Sequence, residues 1–163
     1  MLLYHGSNMI IDKPRLIGQT RGLDFGAGFY LTSSAAQAEH FSEIVCKRRG
    51  DGTPTVSIYT FDEVGAQKHL SVRRFDRADA DWLHFVIENR LQTYRGPAYD
   101  LVIGAVANDN VMPTLQALLG GFLTEEAALV ALKTKKLVDQ YCFRSEQALA
   151  LLSYQENKQW EAN

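Results

Sequence analysis

The feature that most limits the possible folds is the change of hydrophobic periodicity along the chain. Short runs rich in β-branched and aromatic residues alternate with segments in which apolar residues recur at helical spacing. Neither an internal repeat nor a low-complexity linker interrupts this order, and 163 residues are enough to bury one sizeable core. The sequence therefore predicts a single α+β domain over residues 1–163.

Local signals place the predicted elements. Ser34, followed three residues later by Gln37, is typical of a capping box and predicts a helix that reaches about Lys47. Asp79 is suited to cap a second helix, whose apolar residues share one face. Further helices are predicted over 111–119 and 124–133 and from 146 onward. Strands are predicted over 2–5, 25–32, 53–62, 69–75, 99–104 and 140–145, with a last strand near the end of the chain.

Composition and charge exclude several classes of protein. Hydrophobic residues make up 46% of the chain and charged residues 22%, and the net charge of −2 gives no overall attraction to nucleic acid or anionic lipid. The opening MLLYHGS lacks the regions of a signal peptide, and no apolar run approaches the length of a membrane span. Cys46 and Cys142 match no metal or redox spacing, and His40, His69 and His84 have no ligand spacing to one another. We therefore expect a cytoplasmic protein with reduced thiols and no metal site.

Three short segments carry residues suited to ligand binding. LYHGS places His5 at the end of a strand, beside Gly6, whose backbone a ligand can approach closely. GFYLT places Tyr30 just after a glycine-rich turn, where its ring can be presented to a flat ligand. QYCFRS places Gln140 on a late strand, and alternation sends Gln140 and Cys142 to the same face. Each of these features alone is more often structural, so their combination matters more than any one of them.

Taken in order, LYHGS, DFGAGFYLT with the following helix AAQAEHF, and QYCF resemble motifs of the ADP-ribosyltransferase superfamily. The branch concerned is related to diphtheria toxin and the poly(ADP-ribose) polymerases. The chain is also similar to an uncharacterised bacterial family that has these motifs and a central YDLVIGAVANDNV. The resemblance covers nearly the whole chain and implies a split β-sheet with flanking helices. It also implies NAD as co-substrate and a catalytic His-Tyr-Glu trio, in which His5, Tyr30 and Gln140 take the three places.

The resemblance implies a contact with NAD for each of these segments. His5 would donate a hydrogen bond to a hydroxyl of the adenosine ribose, and the backbone of Gly6 would pair with the nicotinamide carboxamide. Tyr30 would stack on the nicotinamide ring, held by the glycine turn before it and the helix after it. The residues expected to bind NAD are His5, Gly6, Ser7, Arg21, Gly28 and Tyr30.

Gln140 departs from the family pattern, which has an acid at this place. Cleavage of NAD leaves positive charge on the ribose, and a glutamine can accept a hydrogen bond there but adds no negative charge. The sequence therefore predicts slow chemistry that Gln140→Glu would accelerate. Glu39 and Glu146 are the acids nearest to the motifs, and both fall in predicted helices, which makes them weak substitutes.

Several other polar residues have two interpretations. Asp24 and Arg21 flank the glycine turn and could contact the phosphates of NAD or hold the turn in place; for Asp24 the second role is favoured, and for Arg21 both remain open. Asn108 and Asp109 follow a buried strand, where polar residues often cap the next helix. The alternative is that one of them faces the cleft and handles the acceptor.

The function implied by the resemblance is mono-ADP-ribosyl transfer to an unidentified macromolecule, either protein or nucleic acid, with hydrolysis of NAD as a side reaction. Small bacterial proteins of this type are often toxins, so a neutralising antitoxin protein is a further expected partner. The alternative is a degenerate module that holds NAD, ADP-ribose or a partner protein without chemistry, and Gln140 keeps it open. A second enzymatic alternative is an RNA phosphate-removing transferase of the same superfamily, which would need extra basic residues around the pocket; the isoelectric point near 6.1 argues mildly against it.

Overall fold

The computed structural model describes residues 1–18, 22–107, 111–135 and 137–161. Strands and helices are interspersed along these ranges, which confirms the predicted α+β class. The strands are β1 Leu2–Ser7, β2 Phe29–Leu31, β3 Thr55–Phe61, β4 Val72–Arg74, β5 Leu101–Ala105, β6 Asp139–Phe143 and β7 Leu152–Gln159. The helices are α1 Ala35–Arg49, α2 Glu63–His69, α3 Ala80–Arg90, α4 Met112–Leu119, α5 Glu125–Lys133 and α6 Glu146–Leu149.

The strands form two sheets that adjoin at one pair of residues. The first sheet is antiparallel and has the strand order β1-β3-β7. The second has the order β2-β6-β5-β4, in which β4 and β5 are parallel and the other pairs are antiparallel. Tyr4 of β1 and Thr32, directly after β2, exchange backbone hydrogen bonds of 2.9 and 3.0 Å. This bridge makes β1 and β2 neighbours at the junction of the two sheets.

Side-chain caps start two helices where the sequence predicts them. The Ser34 hydroxyl accepts a hydrogen bond from the backbone N–H of Gln37 at 3.3 Å, and the Asp79 carboxylate accepts one from Trp82 at 3.2 Å. Gly50 ends α1 with a φ of 71°, a conformation that glycine adopts at low cost. Because the cap at Ser34 starts α1 immediately after β2, the helix lies beside the sheet junction.

Apolar side chains cover both faces of the second sheet. Tyr141 and Phe143 of β6 belong to one buried core, and Cys142, between them, belongs to another that contains Trp82 of α3. The alternation predicted for β6 is therefore confirmed. Gln140 lies on the same face as Cys142, because the two residues are two positions apart on the strand.

The predicted strand over 25–32 is extended only in β2. The residues before it form a turn, in which the Gly26 N–H donates to the Leu23 carbonyl at 3.1 Å. Gly26 has a φ of 77°, in the left-handed region that favours glycine. The glycine-rich segment is therefore a turn that leads into the strand, which agrees with its expected role beside Tyr30.

The predicted strand over 69–75 is also shorter in the structure. An unpredicted helix, α2, continues through His69, and only β4 is extended. Asp62, which the sequence pattern placed at the end of the preceding strand, caps this helix by accepting from the Gly65 N–H at 2.9 Å. A cap directly after a strand thus started a helix that the alternating apolar pattern did not indicate.

Within the described ranges no helix is long and apolar enough to cross a membrane. The same residues contain no group of three or more His, Cys, Asp or Glu side chains that could hold a metal ion. Cys46 and Cys142 are both free thiols. Burial raises the pKa of the Cys142 thiol to about 12, so this group stays protonated and unreactive at neutral pH.

Candidate functional site

His5 lies within β1, which continues beyond the predicted strand to Ser7. Its ring stacks on that of Phe29 with the centroids 4.4 Å apart, and its Nδ1 lies 2.7 Å from the backbone oxygen of Tyr30. A carbonyl oxygen only accepts hydrogen bonds, so Nδ1 carries the hydrogen and Nε2 of the neutral ring is an acceptor. At a ribose hydroxyl, neutral His5 would therefore accept a hydrogen bond, whereas the sequence-based expectation was that it donates one.

The ionisation of His5 leads to a prediction about pH. Burial lowers the pKa of His5 below its usual value of 6.5, and the hydrogen bond to the Tyr30 carbonyl offsets part of this effect. The unfolded chain therefore takes up a proton at this residue at a higher pH than the folded protein does. The stabilisation from neutral His5 is complete above the unfolded value and is lost as the pH falls toward the folded pKa.

We expect the free energy of unfolding to decline more steeply on acidification in the wild type than in His5→Asn. The asparagine amide keeps a donor at the position of Nδ1 and does not titrate. Urea unfolding at a series of pH values between about 7.5 and 5 measures the two slopes. Because the two proteins differ only at this residue, parallel slopes would contradict the neutral state assigned to folded His5.

Gly6 lies where β1 meets α1. A Cβ atom at this position would be 2.1 Å from the backbone oxygen of Ala38, so only glycine fits against the helix. The Tyr4 backbone groups pair with Thr32, away from β3, and backbone groups in an antiparallel strand alternate between its two edges. The N–H and C=O of Gly6 therefore point to the same edge as those of Tyr4, toward β2.

Ser7, the next residue in the motif, has its side chain inside the protein. It is buried, and its hydroxyl lies 3.5 Å from Oδ1 of Asn8. Asn8 is in turn bound to the Asp51 carboxylate, with 2.9 Å between the donor nitrogen and the acceptor oxygen. The structure thus connects Ser7 to the polar contacts that follow β1.

Tyr30 and the glycine-rich turn hold each other in place. The Tyr30 hydroxyl donates to the Gly26 carbonyl at 2.6 Å and accepts from the Phe25 N–H at 3.1 Å. Its half-buried ring packs against the core that contains Cys142. Burial raises the pKa of Tyr30 well above its usual value, which keeps the phenol neutral and able to donate. The turn therefore orients Tyr30 through its hydroxyl as well as through the backbone.

Substitution of Tyr30 by phenylalanine separates the role of the hydroxyl from that of the ring. We expect Tyr30→Phe to lower the free energy of unfolding by about 1–3 kcal/mol, because the Gly26 and Phe25 backbone groups lose their partner. If the ring stacks on a ligand, NAD binding should persist in Tyr30→Phe and be lost in Tyr30→Ala. Urea unfolding and titration calorimetry measure the two effects. Tyr94→Phe, which removes an exposed hydroxyl bound to the Pro97 carbonyl, is the control.

Gly28 is required by the pairing of β2 with β6. A Cβ atom there would lie 2.5 Å from the Cys142 sulfur and 2.7 Å from the Phe143 carbonyl oxygen. The absence of a side chain at Gly28 thus allows two strands to approach. The sequence-based expectation that Gly28 contacts NAD stays a prediction.

Gln140 belongs to a buried polar cluster, which we call the Asp24 network. Its side-chain nitrogen donates to Asp24 Oδ2 at 2.9 Å and to the Ala105 carbonyl at 3.3 Å. The other oxygen of Asp24 forms an ion pair with Arg90, with distances of 2.7 Å to Nε and 2.5 Å to one terminal nitrogen. Asp24 Oδ2 also accepts from the Ala107 N–H at 2.9 Å. The Asp24 network therefore consists of Asp24, Arg90 and Gln140 with the backbones of Ala105 and Ala107.

The fold brings the three expected catalytic residues onto adjoining strands but gives them different surroundings. Tyr30 is paired with Cys142, so Tyr30 and Gln140 lie on one face of the second sheet. His5 contacts the opposite side of β2 through the ring of Phe29. The link between Tyr30 and the Asp24 network runs through the turn, since the Tyr30 hydroxyl binds Phe25, the residue after Asp24.

Asp24 is the carboxylate that lies beside Gln140, and the expectation that it holds the turn in place agrees with its contacts. Glu39 and Glu146, the acids weighed as substitutes, are both exposed at the surface. The sequence alone contains no signal for the Asp24 contact, because the two partners lie 116 positions apart. Arg21, Asn108 and Asp109 lie outside the described residues.

Sequence reasoning did not identify Asp139, which joins β6 to the start of α1. Its carboxylate accepts hydrogen bonds from the Ser33 hydroxyl at 2.6 Å, the Ser33 N–H at 2.9 Å and the Thr32 hydroxyl at 3.2 Å. Ser34 is the helix cap predicted from the sequence, and the adjacent Ser33 has a different role. Ser34 caps α1, whereas Ser33 ties the residues after β2 to β6.

A cleft of about 710 Å³ opens at the carboxyl ends of β4 and β5. It is lined by apolar residues and by charged groups that include Arg74, Lys133, Lys135 and Asp139. Among the described residues, those that line it do not include His5, Tyr30 or the side chains of Asp24 and Arg90. The cleft therefore adjoins β6 but is distinct from the sheet junction.

The structure thus defines an α+β protein with two adjoining sheets and a buried Asp-Arg-Gln network. The model of a family described as "Protein of unknown function (DUF3990)" matches residues 1–154, and the chain belongs to this family. No curated protein and no solved structure matches the chain. The family description states no activity, so the function has to be argued from the site.

Proposed function

We propose that the protein binds NAD and transfers mono-ADP-ribose to a macromolecule, with hydrolysis of NAD as a side reaction. The observation that carries this proposal is the arrangement at the sheet junction. There the His5 ring is bound to the Tyr30 carbonyl, next to the strand edge formed by the Gly6 backbone. This arrangement supports the roles that the resemblance to the ADP-ribosyltransferases implies for these residues.

The backbone of Gly6 supports a site for the nicotinamide carboxamide. A carboxamide has both donors and an acceptor, and a strand edge offers a complementary N–H and C=O. Gly6 presents these groups toward β2. Because Tyr4 and Thr32 form an antiparallel bridge, the residue of β2 that lies opposite Gly6 is Tyr30. A planar ring bound at Gly6 would thus lie close to β2, and the Tyr30 ring is the aromatic group available for stacking.

The orientation of His5 supports recognition of a ribose. Its Nδ1 is held by the Tyr30 carbonyl, so in the neutral ring Nε2 remains as an acceptor for a hydroxyl proton. Stacking on Phe29 restricts the rotation of the ring. His5 would therefore present a fixed acceptor to a hydroxyl of the adenosine ribose.

The proposed reaction breaks the bond between C1′ of a ribose and the nicotinamide nitrogen. The electron pair leaves with nicotinamide, and positive charge develops on the ribose, as in glycoside hydrolysis. An oxygen or nitrogen of the acceptor, or of water, then forms the new bond to C1′ and releases its proton to solvent. Gln140 contributes a hydrogen-bond acceptor for the ribose 2′-hydroxyl but no negative charge, so we expect slow turnover.

Incubation with NAD labelled in its adenylate half, together with a bacterial lysate, tests the proposal. Separation of protein, RNA and DNA should show label on one fraction, and chromatography should show an equivalent release of nicotinamide. His5→Ala and Tyr30→Ala should abolish both signals while the melting curves show folded protein. Asp81→Asn, in which a largely exposed carboxylate is replaced, is the matched control. Wild-type protein that releases no nicotinamide and labels no fraction would overturn the proposal.

The burial of Gln140 favours a second candidate, a module that binds NAD or ADP-ribose without chemistry. Its amide nitrogen is engaged by Asp24 and Ala105, and only 7% of the residue is exposed. Calorimetry that shows NAD binding, combined with an absence of nicotinamide release, would establish this alternative. Loss of binding in His5→Ala would then still place the ligand at the sheet junction.

The proposal extends to a toxin that acts in the bacterial cytoplasm and is neutralised by a partner protein, as the resemblance implies. Expression of the wild-type chain should then arrest bacterial growth, and Tyr30→Ala should relieve the arrest at the same expression level. Equal growth with both proteins would remove the toxin role from the proposal and leave the NAD chemistry to be judged by the labelling experiment.

A further inference from the structure

We propose that Asp24 and Arg90 are positioning residues that orient Gln140, and that Asp24 is the reason why this site uses a glutamine in place of a glutamate. This inference rests on the proposed function, because orientation of Gln140 matters only if its amide oxygen meets the ribose. It assigns a role to the ion pair between Asp24 and Arg90. The resemblance to the transferases does not imply this role.

The orientation of the Gln140 amide follows from the chemistry of its two neighbours. The Asp24 carboxylate and the Ala105 carbonyl can only accept hydrogen bonds from Gln140. The nitrogen of the amide must therefore face both of them, and the amide oxygen must face away. The nitrogen and the oxygen of a glutamine amide are nearly equal in shape, and these two acceptors determine which of the two atoms faces Asp24. The result is a defined acceptor for a hydroxyl proton.

The charge balance of the Asp24 network explains the preference for an amide. Asp24 is 6% exposed and carries one negative charge, which the Arg90 guanidinium compensates. A glutamate at position 140 would place a second carboxylate about 3 Å from Asp24 Oδ2, where the Gln140 amide now donates. Among the described residues, Arg90 is the cation that forms an ion pair with Asp24. Two carboxylates at this distance in a buried site are not both ionised at neutral pH without a large cost.

The Asp24 network also fixes the position of Gln140 relative to Tyr30. Asp24 lies in the glycine-rich turn, and the backbone N–H of the next residue, Phe25, donates to the Tyr30 hydroxyl. Arg90 is the last residue of α3. The same carboxylate binds the backbone of Ala107, just beyond β5. Four segments of the chain therefore meet at Asp24, and a change there alters the geometry between Gln140 and Tyr30.

The first test is Asp24→Asn, which keeps the size of the side chain but places a donor or a neutral oxygen opposite Gln140. We expect kcat for nicotinamide release to fall on the order of a hundredfold, because the acceptor oxygen loses its fixed orientation. KM for NAD should change by less than about threefold, since the contacts at His5 and Gly6 are untouched. Asp81→Asn should leave both constants unchanged.

The second test exchanges the two groups. Gln140→Glu alone should melt at a lower temperature than the wild type, because it brings two carboxylates together. The double variant Asp24→Asn with Gln140→Glu restores one amide and one carboxylate, so it should melt at a higher temperature than Gln140→Glu. A double variant that melts no higher than Gln140→Glu would overturn the account of why a glutamine stands here.

The outcomes separate this inference from the proposed function. If the wild type releases no nicotinamide, the proposed function fails, and the positioning role fails with it. If the wild type releases nicotinamide and folded Asp24→Asn keeps the same kcat, the positioning role alone is overturned. A fall in kcat with a constant KM and a rescue of melting in the double variant together support it, since a merely structural contact would not divide the two kinetic constants.

Discussion

Replacement of Asp24 by alanine is expected to lower the free energy of unfolding by about 3–5 kcal/mol. The substitution removes the partner of the Arg90 guanidinium, whose side chain is only 27% exposed. It also leaves the donors of Gln140 and Ala107 without the acceptor that the folded protein provides. Urea unfolding, monitored by circular dichroism, measures the loss.

Asp81→Ala is the matched control for this prediction. Asp81 also pairs with an arginine, Arg73, but at 3.4 Å and with 77% of its own side chain exposed. Solvent screens such a pair, so we expect a change below about 1 kcal/mol. Equal losses in Asp24→Ala and Asp81→Ala would show that the Asp24 network contributes no more than a surface ion pair.

Gly6→Ala is expected to destabilise the protein by about 3 kcal/mol, at the upper end of the usual cost of overpacking. The added Cβ would lie 2.1 Å from the Ala38 carbonyl oxygen, 3.0 Å from the Ala38 carbonyl carbon and 3.0 Å from the Ser42 nitrogen. These are all backbone atoms of α1, so no flexible side chain can move aside. The helix must shift away from β1, and thermal unfolding measures the cost.

The functional result of Gly6→Ala should follow from the same shift. Displacement of α1 and β1 disturbs the strand edge proposed for the carboxamide, so NAD binding by the folded fraction should weaken as well. Gly18→Ala is the control, because a Cβ at Gly18 meets no atom within 4 Å, and we expect a change within about 0.5 kcal/mol. A Gly6→Ala protein as stable as Gly18→Ala would contradict the close approach of β1 and α1.

The fold class and the position of most elements could be predicted because their signals are local. Ser34 and Asp79 cap helices three residues away, and the alternation in β6 separates Tyr141 from Cys142 by a period of two. The helix α2 was missed because its start depends on Asp62, which directly follows β3 and which the sequence pattern includes in that strand. The same residue type is compatible with a turn or a cap, and in the structure its carboxylate caps the helix by accepting from the Gly65 N–H.

The candidate site could be predicted only in outline. His5, Gly6 and Tyr30 were recognised from motifs, and the structure places them at the junction of the two sheets. The hydrogen-bonding role of His5 could not be predicted, because it depends on the Tyr30 carbonyl, which reaches the ring only after β1 and β2 adjoin. The contact of Gly6 with Ala38 depends in the same way on how α1 docks.

Gln140 shows most clearly what depends on the tertiary structure. Considered alone, the sequence favours Gln140→Glu as a gain of negative charge beside a developing cation, whereas the contact with Asp24 leads us to expect loss of stability. The sequence by itself determined the α+β class, the caps and the strand positions of His5, Tyr30 and Gln140, because each follows from residues a few positions apart. Only the tertiary structure decided that Asp24, 116 residues away, supplies the carboxylate beside Gln140, since a buried charge is set by the groups that the folded chain brings into contact.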